Sequence, residues 1–392
     1  MSHPLLERAW ELQDQMVADR RYLHQNPELG FELPLTSAYV KKRLTEMGYE
    51  VEDICPSGFV AIAGKKTSGK VLLVRADMDA LPMAEETDEP FKSTNGAMHS
   101  CGHDIHTATL LGAAQLLKEH EDELEGRVKL CFQPAEEPIK GAVEMIEKGV
   151  LENPHVDAVF GTHTSIPMKA GAVRLLEGPI LASSDIFKIT IHGEGSHGSM
   201  PETGVDPVNV AAHVVIALQS IIAREVSALQ PVVLTFGSIQ AGQAPNIVPS
   251  DCVLQGTLRA FDPEVRKFAK GRMEEIIHST AATFRAAAEI SYESETPPTV
   301  NDPAFTREMQ AYMKEVVGED CITEGPRIMG SDDFAYFTEQ RPGAMFHCGM
   351  GTREEGHLFG LHNPKALFDE RSLPAVAAVY ANCCIQWLEH NK

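Results

Sequence analysis

The run Cys101-Gly102-His103-Asp104-Ile105-His106 puts a thiol, two imidazoles and a carboxylate within six residues. A thiolate with an imidazole suits zinc, and with carboxylates completing the set it also suits manganese, cobalt or nickel. The plain alternative is a buried thiol beside a helix-capping polar run. His106 faces differently from His103 on the expected helix and reads as structural. A second cluster, Glu136-Glu137, follows the apolar run 128–132. Adjacent carboxylates at a strand end point in different directions, so one can bind metal while its neighbour handles protons. Metal-assisted hydrolysis needs that division of labour. Alone, the pair would be two solvated glutamates at a helix start. The upstream Cys–His cluster favours the catalytic reading. His163 and His362 gain weight as ligands only from position, after an apolar run and inside Gly360-Leu361-His362-Asn363. Asp79 could accept an N–H from a ligating imidazole, or merely cap the loop toward Pro82.

The elements around these residues explain why they should converge. Residues 71–74 (VLLV), 128–132 (VKLCF) and 156–160 (VDAVF) are short apolar strands, each followed by a polar cluster. VLLV looks like a strand buried on both faces. In open α/β sheets, ligands bind beyond the carboxyl ends of the strands, so the three clusters should share one crevice. Helical spacing at 5–17, 35–47, 105–117 and 143–150 supplies the alternation of an α/β layer with a mainly parallel sheet. A second block begins near residue 182, with strands at 186–192, 232–239, 252–260 and 289–292 and helices at 207–222 and 264–287. Their βαββαβ order is ferredoxin-like. After Pro297-Pro298 the chain returns to a helix at 305–317, then to Gly-rich loops, then to a last helix at 373–389. The expected organisation is a discontinuous domain, 1–181 plus 295–392, interrupted by an inserted domain, 182–294.

Composition narrows the partners. The chain has 392 residues and a net charge of −22, which repels phosphate backbones and argues against nucleic acid. No apolar run reaches the roughly 18 to 20 residues needed to span a bilayer, and the N-terminus lacks a signal-peptide core. The expectation is a cytoplasmic protein with no membrane partner. Eight scattered cysteines read as buried thiols, with Cys101 alone in a chemically loaded neighbourhood.

Many ordered runs together resemble the co-catalytic metallo-amidohydrolases, the group of hippurate hydrolases, aminoacylase-like enzymes and plant auxin-conjugate hydrolases. They are RYLHQNPELG (21–30), RADMDALP (75–82), CGHDIH, FQPAEE (132–137), GTH (161–163), GEGSHGSMP (193–201), APNIVP (244–249), GSDDF (330–334) and GLHNP (360–364). The resemblance implies a zinc-peptidase-like α/β/α catalytic domain with an inserted ferredoxin-like α+β dimerisation domain. It implies two divalent metal ions (Zn, Mn, Co or Ni) bridged by Cys101, with His103 and His163 on one and Glu137 and His362 on the other. Glu136 would be general base and acid, with Asp79 supporting the centre. His197 would stabilise the oxyanion, and Asn246 and Arg259 would hold the substrate's carboxylate end. The implied substrate is a small N-acyl amino acid and the implied assembly a homodimer or higher homo-oligomer formed through the inserted domain. In a dipeptidase or carboxypeptidase of the same superfamily the bridge is normally Asp, so Cys101 favours the amidase. A degenerate, non-catalytic relative would have lost the base or a ligand, and none is missing. A closed structural zinc site favours four Cys or His ligands and has no use for a free carboxylate. Two departures bear on substrate preference: Glu202 stands where relatives often carry His, and Pro138-Ile139-Lys140-Gly141 lacks their multiple glycines.

Overall fold

A computed structural model describes residues 3–392. The chain divides into two compact units. One runs to Gly178 and resumes over Val300–Pro326 and Asp332–Lys392; the other comprises Pro179–Thr299 with Arg327–Ser331. The short segment Arg327–Ser331, expected with the first unit, joins the second through its backbone. Ala182 N–H donates to the carbonyls of Ile328 (3.2 Å) and Gly330 (3.0 Å), and Ile328 N–H donates to Ile180 O (3.0 Å).

The first unit is built on a seven-stranded sheet ordered Val51–Cys55, Gly58–Ala63, Arg127–Gln133, Val71–Asp77, Ala158–Ser165, Gly343–Gly349, Val173–Arg174. The four central strands are parallel and the edge pairings antiparallel. Every residue of Val71–Asp77 is buried, as a strand covered on both faces requires. The pleat sorts side chains between two helical layers. Val128, Leu130 and Phe132 face the main core, beneath the helices His103–Glu119 and Leu373–His390. Lys129 and Cys131 face the other way, toward Val150 O and the Met145 sulfur on or beside the helix Gly141–Glu147. This is the expected α/β/α layering.

Three sequence expectations change. The first helical segment is two helices, Pro4–Glu11 and Gln13–Gln25, meeting at Leu12. The Gly-rich stretch near the C-terminus contains a fully buried central strand, Gly343–Gly349. The long helix of the second block ends at Thr283, before residue 287.

The second unit has a four-stranded antiparallel sheet ordered Val232–Ala241, Asp251–Ala260, Ser184–His192, Ala287–Thr296. With helices Pro207–Ser220 and Pro263–Thr283 this is the ferredoxin-like βαββαβ order. Both helices start at an Asp-Pro pair, and the Asp206 and Asp262 carboxylates accept the first free backbone N–H groups. The stretch Pro207–Glu225 is long and apolar enough, by length and composition, to cross a membrane. That differs from the reading of apolar runs above. Val210, Ala211, Val214 and Leu218 of this helix are buried in the unit's own core with Phe187, Ile189 and Leu254.

Candidate metal centre

The strands deliver their polar ends to one place in the first unit. Gly102 begins the turn into the helix His103–Glu119 at φ 90°, and a Cβ there would come within 2.7 Å of the Thr164 side chain. Only glycine meets both conditions. The turn sets Cys101 beside two histidines from distant strands and loops. Its Sγ lies 3.5 Å from His163 Nε2 and 3.3 Å from His362 Nε2. Two ligand triads result, Cys101–His103–His163 and Cys101–Glu137–His362, each with its ligand atoms within 4.8 Å of one another. Cys101 belongs to both.

Hydrogen bonds fix which nitrogen each imidazole presents. His103 Nδ1 donates to the backbone carbonyl of Asp79 at 2.8 Å, and His163 Nδ1 donates to Thr164 O at 2.8 Å. Each ring therefore turns an Nε2 lone pair toward Cys101. His103 Nε2 and Glu137 Oε1 are buried atoms without a hydrogen-bond partner among the described residues. Orphaned acceptors converging on a thiol are costly unless a cation completes them. The donor set of S, N and carboxylate O fits divalent transition metals. His106 is fully engaged: its Nδ1 donates to Asp77 at 2.6 Å, and its Nε2 accepts the Thr164 N–H at 2.9 Å. That is the structural use expected of it.

The paired glutamates are held through their backbone by Asp79. Ala135 turns the chain at φ 54°, an uncommon conformation for a residue with a Cβ. The Glu136 and Glu137 backbone N–H groups then donate to the two carboxylate oxygens of Asp79, at 2.9 and 3.2 Å. The sequence left the Asp79 carboxylate either accepting an imidazole N–H or capping the loop toward Pro82. That carboxylate lies 3.6 Å from His103 Nδ1, while the Asp79 backbone carbonyl takes the ring N–H. One residue thus orients an imidazole with its main chain and the paired glutamates with its side chain. His362 also has a left-handed backbone, φ 59°, pinned where its N–H donates to Ser100 O at 3.0 Å.

Glu136 is buried, and its Oε2 lies 3.8 Å from His103 Nε2. Burial, then the charge of Asp332, hold its carboxyl well above the ordinary carboxylate range. Behind it lies a network with no role assigned from sequence. Arg75, fully buried, contacts Asp77 at 2.6 Å, Asp333 at 2.9 Å and Asp332 at 3.1 Å. Gln133 donates to Asp333 at 2.8 Å. The available signal was an arginine and an aspartate closing an otherwise apolar strand, VLLVRAD.

A model of the peptidase family M20/M25/M40 matches residues 73–386. The chain belongs to this family. Among M20 relatives it is 37% identical over 383 residues to the thermostable carboxypeptidase 2 of Saccharolobus solfataricus, covering 96% of each chain. It is 39% identical to the N-acetyl-L-cysteine deacetylase of Bacillus subtilis, over 92% of this chain and 85% of that one. A solved dinuclear metal-binding M20 peptidase from Bacillus subtilis superposes with a TM-score of 0.83 at 31% identity, covering 97% of this chain and 99% of that one.

The remaining expected site residues sit in the second unit. His197 is exposed, paired in a short ladder with Ile247, and its Nδ1 accepts the Ser199 N–H at 3.1 Å. A neutral ring so held carries its proton on Nε2. Asn246 adjoins the same ladder, its carbonyl accepting the Gly198 N–H at 2.9 Å. Arg259 is partly buried, donates to Met329 O at 3.1 Å, and has a pKa lowered by burial alone.

Proposed function

We propose that this M20 member is a metal-dependent amidohydrolase cleaving the amide bond of small N-acyl amino acids, releasing a carboxylic acid and a free amino acid. The observation that carries the reading is the pair of ligand triads sharing Cys101 beside the buried Glu136. Cys101 would bridge two divalent ions, His103 and His163 completing one set and Glu137 and His362 the other. The ions would supply Lewis acidity at the scissile carbonyl and activation of the attacking water. Glu136 takes the proton from that water and returns it to the leaving nitrogen. Burial, then the negative charges of Asp332 and Asp333, keep this carboxyl in a protonatable state. Asp79 is a positioning residue. His197, with its Nε2 proton available, donates to the developing oxyanion, and Asn246 and Arg259 receive the substrate's carboxylate end.

We further propose a cytoplasmic homodimer whose second unit pairs the subunits and carries His197 into the partner's site. All eight cysteines are free, as a reducing compartment requires. The second unit exposes Ile216, Leu229, Ile239 and Ile247, side chains of the kind that a subunit interface covers. The likeness to a carboxypeptidase supports a second reading, cleavage of a peptide bond next to a free carboxyl terminus. The test is a screen of N-acetyl, N-benzoyl and long-chain N-acyl amino acids beside dipeptides, with Zn, Mn, Co and Ni supplied separately. N-acyl amino acids should be turned over faster than dipeptides with at least one of these metals. Turnover of dipeptides alone would replace the amidase reading with the peptidase one.

A further inference from the structure

Arg174 is a buried cation on the edge strand Val173–Arg174. It is 9% exposed, and its Nε and Nη2 atoms make no hydrogen bond among the described residues. No carboxylate among those residues forms an ion pair with it, and burial alone perturbs its guanidinium, lowering its pKa. Isolated buried charges are costly, and proteins ordinarily place a counter-charge beside them.

Its position gives the isolation a meaning. Arg174 registers across from His347, and His347 registers across from His163. Residues directly opposite in a ladder share a sheet face, so the three side chains form a row leading away from the candidate metal centre. Two strand spacings separate the ends, about 10 Å between backbones. The His163 and His347 rings are 6.3 Å apart. His347, in the middle of the row, is buried and, like Arg174, offers N–H groups but no carboxylate. The cover over the guanidinium is thin. The chain at Ile322 bridges to Val173, and Gly325 lies so close that a Cβ there would collide with Nη1.

We propose that Arg174 and His347 form an anion subsite that receives a second substrate carboxylate. The proposal rests on the amidohydrolase reading, in which Asn246 and Arg259 take the first carboxylate. The row places this charge several bonds from the scissile amide. The substrates it fits are N-acyl amino acids with an acidic side chain, or those whose acyl group is a dicarboxylic acid. Both carry the same chemistry, a carboxylate remote from the amide.

The experiment compares wild type, Arg174→Met and Arg174→Lys, metal-loaded, on four substrates. N-Succinylalanine and N-butyrylalanine differ in an acyl-end carboxylate; N-acetylglutamate and N-acetylglutamine differ in a side-chain carboxylate. Arg174→Met should lower kcat/KM about 10- to 100-fold for at least one acidic member, as loss of a hydrogen bond to a charged group does. The matching neutral member should change less than about threefold, and Arg174→Lys should recover part of the loss. Which acidic member suffers tells which end of the substrate the subsite holds. Removing an unpaired buried charge is expected to be neutral or stabilising, so the Met variant should fold. An equal change across all four substrates, or none, would overturn the subsite. If no N-acyl amino acid is hydrolysed at all, the amidohydrolase reading fails, and thermal shift decides the subsite separately. Glutarate should then raise Tm more than butyrate in wild type and not in Arg174→Met. Equal shifts by the two, or an Arg174-dependent shift by chloride or phosphate without that discrimination, would reject a carboxylate subsite.

Discussion

The Asp79 carboxylate accepts the backbone N–H of Glu136 at 2.9 Å, so an acidic side chain orients the proposed base by gripping the main chain of Glu136. The second oxygen takes the Glu137 N–H at 3.2 Å. Both the base and a proposed ligand therefore depend on one side chain. Asp79→Asn keeps the shape but turns an N–H donor toward one of these N–H groups. We expect metal affinity or kcat to fall about 10- to 100-fold, as for other residues that orient ligands. Unchanged metal titration and turnover would reduce Asp79 to a loop cap.

Cys101 is the only side chain common to both triads. Cys101→Ala should lower metal content and turnover together, since the site loses a negative ligand serving both ions. Elemental analysis of the purified variant decides the matter. Wild-type occupancy with wild-type turnover would make Cys101 an ordinary buried thiol.

His24 gives the fold a pH signature independent of the metal ligands. Its ring nitrogens donate to Asp104 at 2.8 Å and Glu85 at 3.1 Å, and Arg20 donates to Asp104 at 2.9 Å. Burial and Arg20 oppose a charge on His24, but the carboxylates prevail and its pKa is raised above 6.5. A raised imidazole stabilises the fold fully below its unfolded pKa, and that contribution is lost as pH rises through the folded value. The stability gap between wild type and His24→Gln, measured by urea unfolding, should therefore be larger at pH 6 than at pH 9. A gap that widens with pH would contradict the ion-pair account.

His197 tests the proposed sharing between subunits. His197→Ala should lower kcat about 10²- to 10³-fold with metal content unchanged. Mixing it with Glu136→Gln protein under subunit exchange should restore part of the activity, because some heterodimers then hold one intact site. No recovery despite demonstrated exchange would place His197 in its own chain's site or outside the chemistry.

The legible part of this fold was what local pattern controls. Apolar strands ending in polar clusters marked the crevice, and the second unit's helices, expected from 207 and 264, start at Pro207 and Pro263. The strand Gly343–Gly349 escaped because its core, AMFHC, has no β-branched residue and is bounded by glycine. The break at Leu12 escaped because apolar spacing continues through it. Sequence placed Asp79 near an imidazole but could not say that its carbonyl, rather than its carboxylate, would take the ring N–H. The Arg75–Asp332–Asp333 network joins distant segments, so no local period reveals it. Arg174 carries no motif, and its lack of a counter-charge among the described residues exists only in the folded chain.

The central claim is the division of labour between Glu136 and Glu137, and one substitution measures it most directly. Glu136→Gln keeps the side-chain shape and leaves Glu137 beside Cys101 and His362. Metal content and kcat on an N-acetyl amino acid would be determined on the same preparation. The account predicts two ions per chain, as in wild type, with kcat lowered roughly 10²-fold or more. Loss of metal from this variant, or wild-type turnover with metal bound, would contradict it.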